Sequence, residues 1–373
     1  MKLSIYNLTL NKKTLIFFLP NFSQGGAGET LSKLMMYLAK KHDCFLICLN
    51  NCFYKKILIK NKVKIIEINS NKTFFSMFKI RNIVKKILNA KENAIFISNI
   101  NYANVLSIIF LRSLNNLKII LYEKTPIQEL ETDYGNFKRK IKNKIIKKLI
   151  KYTYIHANKI ITNSKVTSLD FKRYLNKDVK TIYSKSIDKI KKFRKIKVKN
   201  IKILWIGRFS NEKSFDTLID AVNILKNLDV KIYVLGDGAK KKVYFDKIQK
   251  LRISHKFKFF GYKKNLDNYF KSSNLYISTS YYEGFPNSVI QAINYSLPIV
   301  ASKSYGGINE IIKNKHSGVF FKVDDPLDLS QKIIEYKKNK LLFQKYAFSA
   351  LKDLEKFDFK NIEKKFENEI LKV

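Results

Sequence analysis

Short apolar runs alternate with segments of helical periodicity along nearly the whole chain, and no other feature constrains the fold as much. Runs at 14–19, 44–49, 63–68, 94–98, 118–122 and 158–162 have the length and the Ile, Leu and Phe content of buried strands. Between the first two, Leu31, Leu34, Met35, Leu38 and Ala39 recur on one face of a helix. Strands separated by helices and short connections imply parallel βαβ units with helices on both faces of the sheet. The stretch 184–200 is charged, lacks apolar periodicity and reads as a linker. A second alternating series follows it. Strands are expected at 202–206, 230–235, 257–260, 274–278, 298–301 and 318–321, and helices at about 213–227, 239–250, 286–296 and 307–313. Helical segments at 326–338, 340–353 and 359–371 end the chain. The expected architecture is α/β, two Rossmann-like doubly wound domains facing a cleft.

The 373 residues include only 12 Gly, so where Gly occurs the backbone is expected to need it. Most follow the strand-like runs, where an open α/β sheet places its ligand loops. The formal charge of +43 comes from 73 basic and 30 acidic side chains, and would suit a nucleic-acid or anionic-surface protein. Only seven of the basic residues are Arg, however, and Lys, Asn and Ile are abundant throughout, which reads as compositional drift. An apolar fraction of 46% excludes disorder.

Four glycine-bearing stretches of the second half can carry chemistry. In Trp205-Ile206-Gly207-Arg208-Phe209-Ser210-Asn211-Glu212-Lys213 a strand ends at Gly and two cations follow. Arg208 is scarce in kind here and suits bidentate phosphate recognition. In Glu283-Gly284-Phe285-Pro286-Asn287-Ser288-Val289-Ile290-Gln291, Pro286 fits a first helical turn, and Asn287, Ser288 and Gln291 share one stripe. Such a stripe at a positive helix end can hold a sugar and a diphosphate. Gly306-Gly307 precedes another helix and would let backbone N–H groups approach an anion. Val234-Leu235-Gly236-Asp237-Gly238 is a strand running into a tight turn. In the first half, Gly25, Gly26 and Gly28 lie between the first strand and first helix. They form no strict G-x-G-x-x-G, no acidic residue ends the second strand, and no P-loop occurs, which disfavours a nicotinamide dinucleotide site.

Taken in order, GGAGE, IGRFSNEK, VLGDG, YYEGFPNSVIQA and GGINEII resemble the retaining glycosyltransferases of family four, which have the GT-B fold. The match is closest over about 200–322 and looser over 14–41 and 156–175. The resemblance implies a first, acceptor-side domain over 1–190 and a nucleotide-sugar domain over 191–357, with a terminal helix at 358–373 packing back on the first. It implies that Arg208 and Lys213 grip a diphosphate, that Glu283 contacts the transferred sugar, and that Asn287, Ser288, Gly306 and Gly307 line the donor. Gly26 would approach the donor from the first domain, and position 291 would contact the ribose. The family carries Glu at that position and this chain has Gln291. Many relatives also carry a His near the sugar. Here LYEKTPIQEL has none, so Glu123, Lys124 or Thr125 would stand there, and Lys124 is taken with Glu283 as catalytic. No metal or separate cofactor is implied. The donor would be a nucleotide sugar, UDP-linked rather than GDP-linked, and the acceptor a glycan or lipid-linked glycan. The rival readings are a nucleotide-sugar epimerase on the same fold and a basic nucleic-acid-binding protein. The second is disfavoured by glycines at strand ends.

Two other features stand apart from those motifs. Cys44, Cys48 and Cys52 lie in and after an apolar strand and read as free structural thiols. With no signal-peptide pattern and no long apolar span, they suggest a cytoplasmic protein. The segment 136–155 reads as a basic amphipathic helix, with Ile141, Ile145, Ile146, Leu149 and Ile150 on its apolar face. Over 136–200 there are 22 basic and three acidic residues, an excess that drift alone does not explain. Either this helix packs on the core with a solvated face, or it meets an anionic membrane surface.

Overall fold

The computed structural model describes residues 12–23, 25–132, 137–196 and 200–373. The expectations for the N-terminal 1–11, and those touching Gln24, Asn136 and 197–199, lie outside them. Two parallel sheets organise the rest. The first contains β1 (Thr14–Phe18), β2 (Asp43–Cys48), β3 (Lys64–Glu67), β4 (Ala94–Asn99), β5 (Leu117–Glu123), β6 (Lys159–Thr162) and β7 (Lys180–Thr181), in the order β3-β2-β1-β4-β5-β6-β7. Its helices are α1 (Gly26–Leu38), α2 (Lys55–Lys60), α3 (Thr73–Lys91), α4 (Asn101–Leu111), α5 (Phe137–Thr153) and α6 (Lys165–Leu175).

The second half supplies β8 (Ile201–Ile206), β9 (Val230–Leu235), β10 (Phe257–Gly261), β11 (Leu275–Ser278), β12 (Tyr282–Glu283), β13 (Ile299–Ser302), β14 (Tyr305–Gly306) and β15 (Val319–Phe321). Six of these form a sheet in the order β10-β9-β8-β11-β13-β15, and β12 pairs with β14 apart from it. The helices are α7 (Phe215–Ile224), α8 (Lys241–Lys250), α9 (Asp267–Ser272), α10 (Asn287–Asn294), α11 (Ile308–Ile311), α12 (Pro326–Lys338), α13 (Lys340–Asp353) and α14 (Ile362–Leu371). In each sheet the strand order reverses beside the first strand, β1 or β8, which is where doubly wound folds place ligands.

The central strands are apolar because both of their faces are covered; all five residues of β1 are buried. One apolar cluster joins α3, α4 and α5 to the first sheet, through Met77, Val84, Leu106, Ile146 and Ile150. A second runs across the seam, from Leu15 and Cys44 through Ile187 and Ile196 to Val289 and Phe366. The three cysteines are buried and free. Burial pushes the thiols of Cys44 and Cys48 up to about 12, leaving them inert.

The stretch after β7, read as a linker, has no helix or strand among its described residues and joins the two sheets, but it is fastened along its course. From Ser186 onward it lies along α10: Asn294 accepts from the Lys191 amide at 2.8 Å and donates to the Lys189 carbonyl at 3.0 Å, and the Ser296 hydroxyl accepts from the Arg194 amide at 2.9 Å. Its charges face water while its amides and carbonyls are met by polar side chains of the second domain. Helix α5, in turn, does not bury the face expected of it. Ile146 and Ile150 are buried, but Ile141 and Ile145 are 45% and 55% exposed, because the sheet takes a narrower stripe than the isoleucines mark out. At the end of the chain α14 returns to the first domain. There Glu367 accepts from Tyr37 at 3.1 Å and Lys41 at 2.9 Å, and lies 3.2 Å from the ring of His42.

Candidate active site

The chemistry-bearing loops meet at the strand ends where the two sheets face each other. Lys213 follows β8, and its Nζ lies 2.5 Å from Glu283 Oε1, which also accepts from the Ser280 hydroxyl at 2.7 Å. Both side chains are mostly shielded, so the pair is held more firmly than a surface ion pair. The Lys213 carbonyl accepts from Thr279, which itself accepts from Trp205 Nε1 at 3.0 Å. The loop carrying Lys213 is thus anchored to the end of β11. Arg208 stands differently. Its side chain is 69% exposed and its nearest carboxylate is Glu212 at 3.5 Å, four residues on. It leaves a guanidinium at the mouth of the site, free to swing to an anion.

The glycines explain themselves by close approach. A Cβ on Gly236 would sit 1.8 Å from the Gly207 carbonyl, so the ends of β8 and β9 can lie together only without side chains. Gly306 has φ +109 and its Cβ would fall 1.9 Å from the Glu283 carbonyl. The Gly307 amide donates to that same carbonyl at 2.8 Å. This differs from the role read from sequence. The paired glycines let the 305–307 loop run against 282–284, and the Gly307 N–H serves that pairing and not an anion.

The polar stripe of α10 divides. Asn287 Oδ1 accepts from the Ser186 hydroxyl at 2.5 Å, and Gln291 Nε2 donates to the Ser186 carbonyl at 3.2 Å. Both therefore face the incoming segment. Ser288 turns the other way, toward the Tyr276 hydroxyl, which lies 3.5 Å from the Ile206 carbonyl beside Gly207. Helix α10 begins at Asn287 with Pro286 just before it, one residue later than expected.

From the first domain, Lys124 directly follows β5. Its Nζ reaches the Ala27 carbonyl at 3.3 Å and lies over the Tyr122 ring at 4.9 Å. Burial pushes its ammonium down to about 7. A Cβ on Gly284 would lie 1.7 Å from the Lys124 carbonyl, and one on Gly26 would lie 3.1 Å from Asn287 Nδ2. Gly26, Lys124, Glu283 and Lys213 are thus brought to one crease, with Arg208 at its rim. The neighbouring Glu123 points inward, fully buried, and accepts from Tyr154 and, at 2.6 Å, from Asn104. Burial pushes its carboxyl up to about 8. Among Glu123, Lys124 and Thr125, the inward turn of Glu123 leaves Lys124 as the residue whose charge faces the crease.

Sequence reasoning missed two members of this crease. Glu310 ties the domains together, accepting from the Val166 amide at 2.8 Å and the Tyr183 hydroxyl at 2.9 Å. Its place inside GGINEII was the only signal. Ser186 gave none, being one serine in a charged run. Among the described residues no three His, Cys, Asp or Glu side chains group as metal ligands, and no helix is long and apolar enough to cross a membrane.

Residues 186–352 match the family of glycosyl transferases group 1. An uncharacterized glycosyltransferase of Methanocaldococcus jannaschii is 31% identical over 216 residues, which are 53% of this chain and 51% of that protein. The chain thus spans about half the length of that relative. The GalNAc-alpha-(1->4)-GalNAc-alpha-(1->3)-diNAcBac-PP-undecaprenol alpha-1,4-N-acetyl-D-galactosaminyltransferase of Campylobacter jejuni is 26% identical over 85% of this chain and 87% of its own. In fold, the crystal structure of HepE from Anabaena in complex with UDP-glucose superimposes with a TM-score of 0.78 at 16% identity, covering 96% of this chain and all of that one. Over residues 186–352 the chain is thus similar to the glycosyl transferases group 1, and its two facing sheets have the GT-B fold.

Proposed function

We propose that the protein transfers a sugar from a UDP-linked donor to a hydroxyl of a glycan or lipid-linked glycan, with retention of the anomeric configuration. The observation that carries this reading is the Lys213–Glu283 pair at 2.5 Å, set where strand order reverses, with the exposed guanidinium of Arg208 beside it. Such a group of cations answers the charge that grows on a departing diphosphate, and stabilising that charge is the largest contribution a protein can make here. The bond from the anomeric carbon to the diphosphate oxygen breaks and the acceptor oxygen bonds to that carbon. The acceptor's proton passes to the nucleoside diphosphate. Glu283, one oxygen held by Lys213 and Ser280, orients the sugar. Lys124 faces it from the other domain, and Ser288 and Gly26 close the donor's flanks. The similarity to an N-acetylgalactosaminyltransferase acting on an undecaprenol-linked glycan supports the acceptor class, and the HepE complex supports UDP. Assembly of a bacterial surface polysaccharide, lipopolysaccharide or lipid-linked glycan on the inner face of the membrane is the matching role.

The test is a panel of UDP- and GDP-sugars with purified protein, reading nucleoside diphosphate release with and without glycan acceptors. Acceptor-dependent UDP release supports the reading. Conversion of a nucleotide sugar with no acceptor present would make it an epimerase. Arg208→Ala should lower kcat/KM by about 2–4 kcal/mol of transition-state stabilisation.

A further inference from the structure

Helix α5 carries eight cations and no acid between Phe137 and Thr153. Its buried residues are Asn143, Ile146, Ile150 and Thr153. Phe137, Ile141, Ile145 and Tyr152 lie at helical spacing on the opposite side and are 74%, 45%, 55% and 60% exposed. A helix that only packs on a core has its apolar residues on the buried side. Here a second apolar stripe faces outward between lysines. Lys140, Lys144 and Lys151 are exposed along one edge of it and Lys138 and Lys142 along the other, with Lys148 within it.

The surface continues onto the neighbouring helices. α3, α4 and α5 cover one face of the first sheet, sharing its apolar cluster. On α3, Phe75 and Phe78 are 62% and 56% exposed, and Phe78 packs edge-on against Phe110 of α4 at 4.9 Å. Lys72 lies over the Phe75 ring at 5.7 Å. Lys142 of α5 lies over Tyr102 of α4 at 5.7 Å. Aromatic rings beside lysines therefore recur across the outer side of this layer.

We propose that this helical face docks the protein on an anionic lipid bilayer, the stripe of α5 seating among acyl chains and its lysines meeting headgroup phosphates. Charge decides the occupant. A protein partner for so basic a face would need a strongly acidic apolar counterpart, and a second copy of this chain, at +43, is itself strongly basic. A bilayer offers negative charge and an apolar interior in that order of depth. The inference deepens the proposed acceptor class but is read out without catalysis.

The test is sedimentation of the full chain with vesicles of phosphatidylcholine alone and of phosphatidylcholine mixed with phosphatidylglycerol. The protein should pellet with the mixed vesicles only. Lys140, Lys144, Lys148 and Lys151 changed together to Gln should weaken binding by at least about a hundredfold. Ile141→Asn with Ile145→Asn should weaken it by at least about tenfold while UDP release with a soluble acceptor stays unchanged. Equal recovery on both vesicles overturns the proposal. So does full binding by the double Asn variant, which would reduce the contact to charge alone, or a concentration-dependent dimer that the same variant abolishes.

Discussion

Gln291 donates from Nε2 to the carbonyl of Ser186 at 3.2 Å, fastening α10 to the chain entering from the first domain. A carboxylate in its place has no proton to give, and two acceptors would face each other. Gln291→Glu should therefore cost about 1–3 kcal/mol, the penalty of an acceptor left unpaired. That corresponds to a fall in melting temperature of several degrees for domains of this size. Thermal unfolding without ligand checks this. A variant as stable as the parent, with tighter UDP-sugar binding, would mean that position 291 turns to the ribose when donor is present.

The Lys213–Glu283 pair makes a different prediction, because Glu283 has two partners and both tolerate an amide. Glu283→Gln keeps an oxygen for Lys213 and for Ser280. It should fold as the parent does and bind UDP at least as well, since a negative charge near the diphosphate is gone. Turnover should fall at least about tenfold, more than 1.4 kcal/mol of transition-state stabilisation. Calorimetry with UDP and initial rates separate the two effects. Undiminished turnover would leave Glu283 as the anchor of Lys213 and nothing more.

Gly284 tests the closed crease. Its Cβ would fall 1.7 Å from the Lys124 carbonyl and 3.1 Å from Asn163 Nδ2, so Gly284→Ala can be housed only by drawing β5 away from the 283–287 turn. Far-UV circular dichroism should show both sheets retained, and kcat/KM should drop by at least about tenfold, because reacting groups misplaced by an ångström cost that much or more. Parental kinetics would mean that the domains work further apart than they stand here.

These outcomes bear on what the sequence could convey. The two sheets were legible because parallel strands are buried on both faces and so read as unbroken apolar runs; β9 was read to the residue. Helices α12 and α13 were bounded as closely, the first by Asp325 capping and Pro326 at its start. The loops that meet at the crease were legible as glycines, but not the reason for them. Gly306 and Gly307 serve loop-to-loop packing, which depends on what stands opposite and has no local signature. The division of α10's polar residues was hidden for the same reason. Periodicity puts Asn287, Ser288 and Gln291 on neighbouring positions, and only the path of 186–194 decides that two of them are taken. On α5 the isoleucines marked a face, but which of them meets the sheet depends on the rotation of the helix, which packing sets.

The last prediction concerns Glu123, which lies one residue from Lys124 and faces the opposite way. Burial raises its carboxyl to about 8, against about 4.5 for an exposed one. Between those values the folded protein holds a proton that the unfolded chain has lost. Stability from this group is therefore complete below about pH 4.5 and falls as pH rises toward 8, by at most about 1.4 kcal/mol per unit. Lys124 acts in the opposite sense and in a higher window. Its ammonium is pushed down to about 7 from 10.5, so the unfolded chain holds the extra proton and stability rises with pH above 7. From about pH 5.5 to about pH 7 only Glu123 acts of the two. Glu123→Gln keeps the acceptor for Tyr154 and Asn104, and puts an amide where Oε2 has no partner. Urea midpoints of parent and variant should diverge across that range, the parent losing stability relative to Gln as pH rises. Taking the difference cancels the titrating groups that the substitution does not touch. Parallel curves would show that Glu123 is ionised throughout, with its charge balanced by Tyr154 and Asn104 despite its burial.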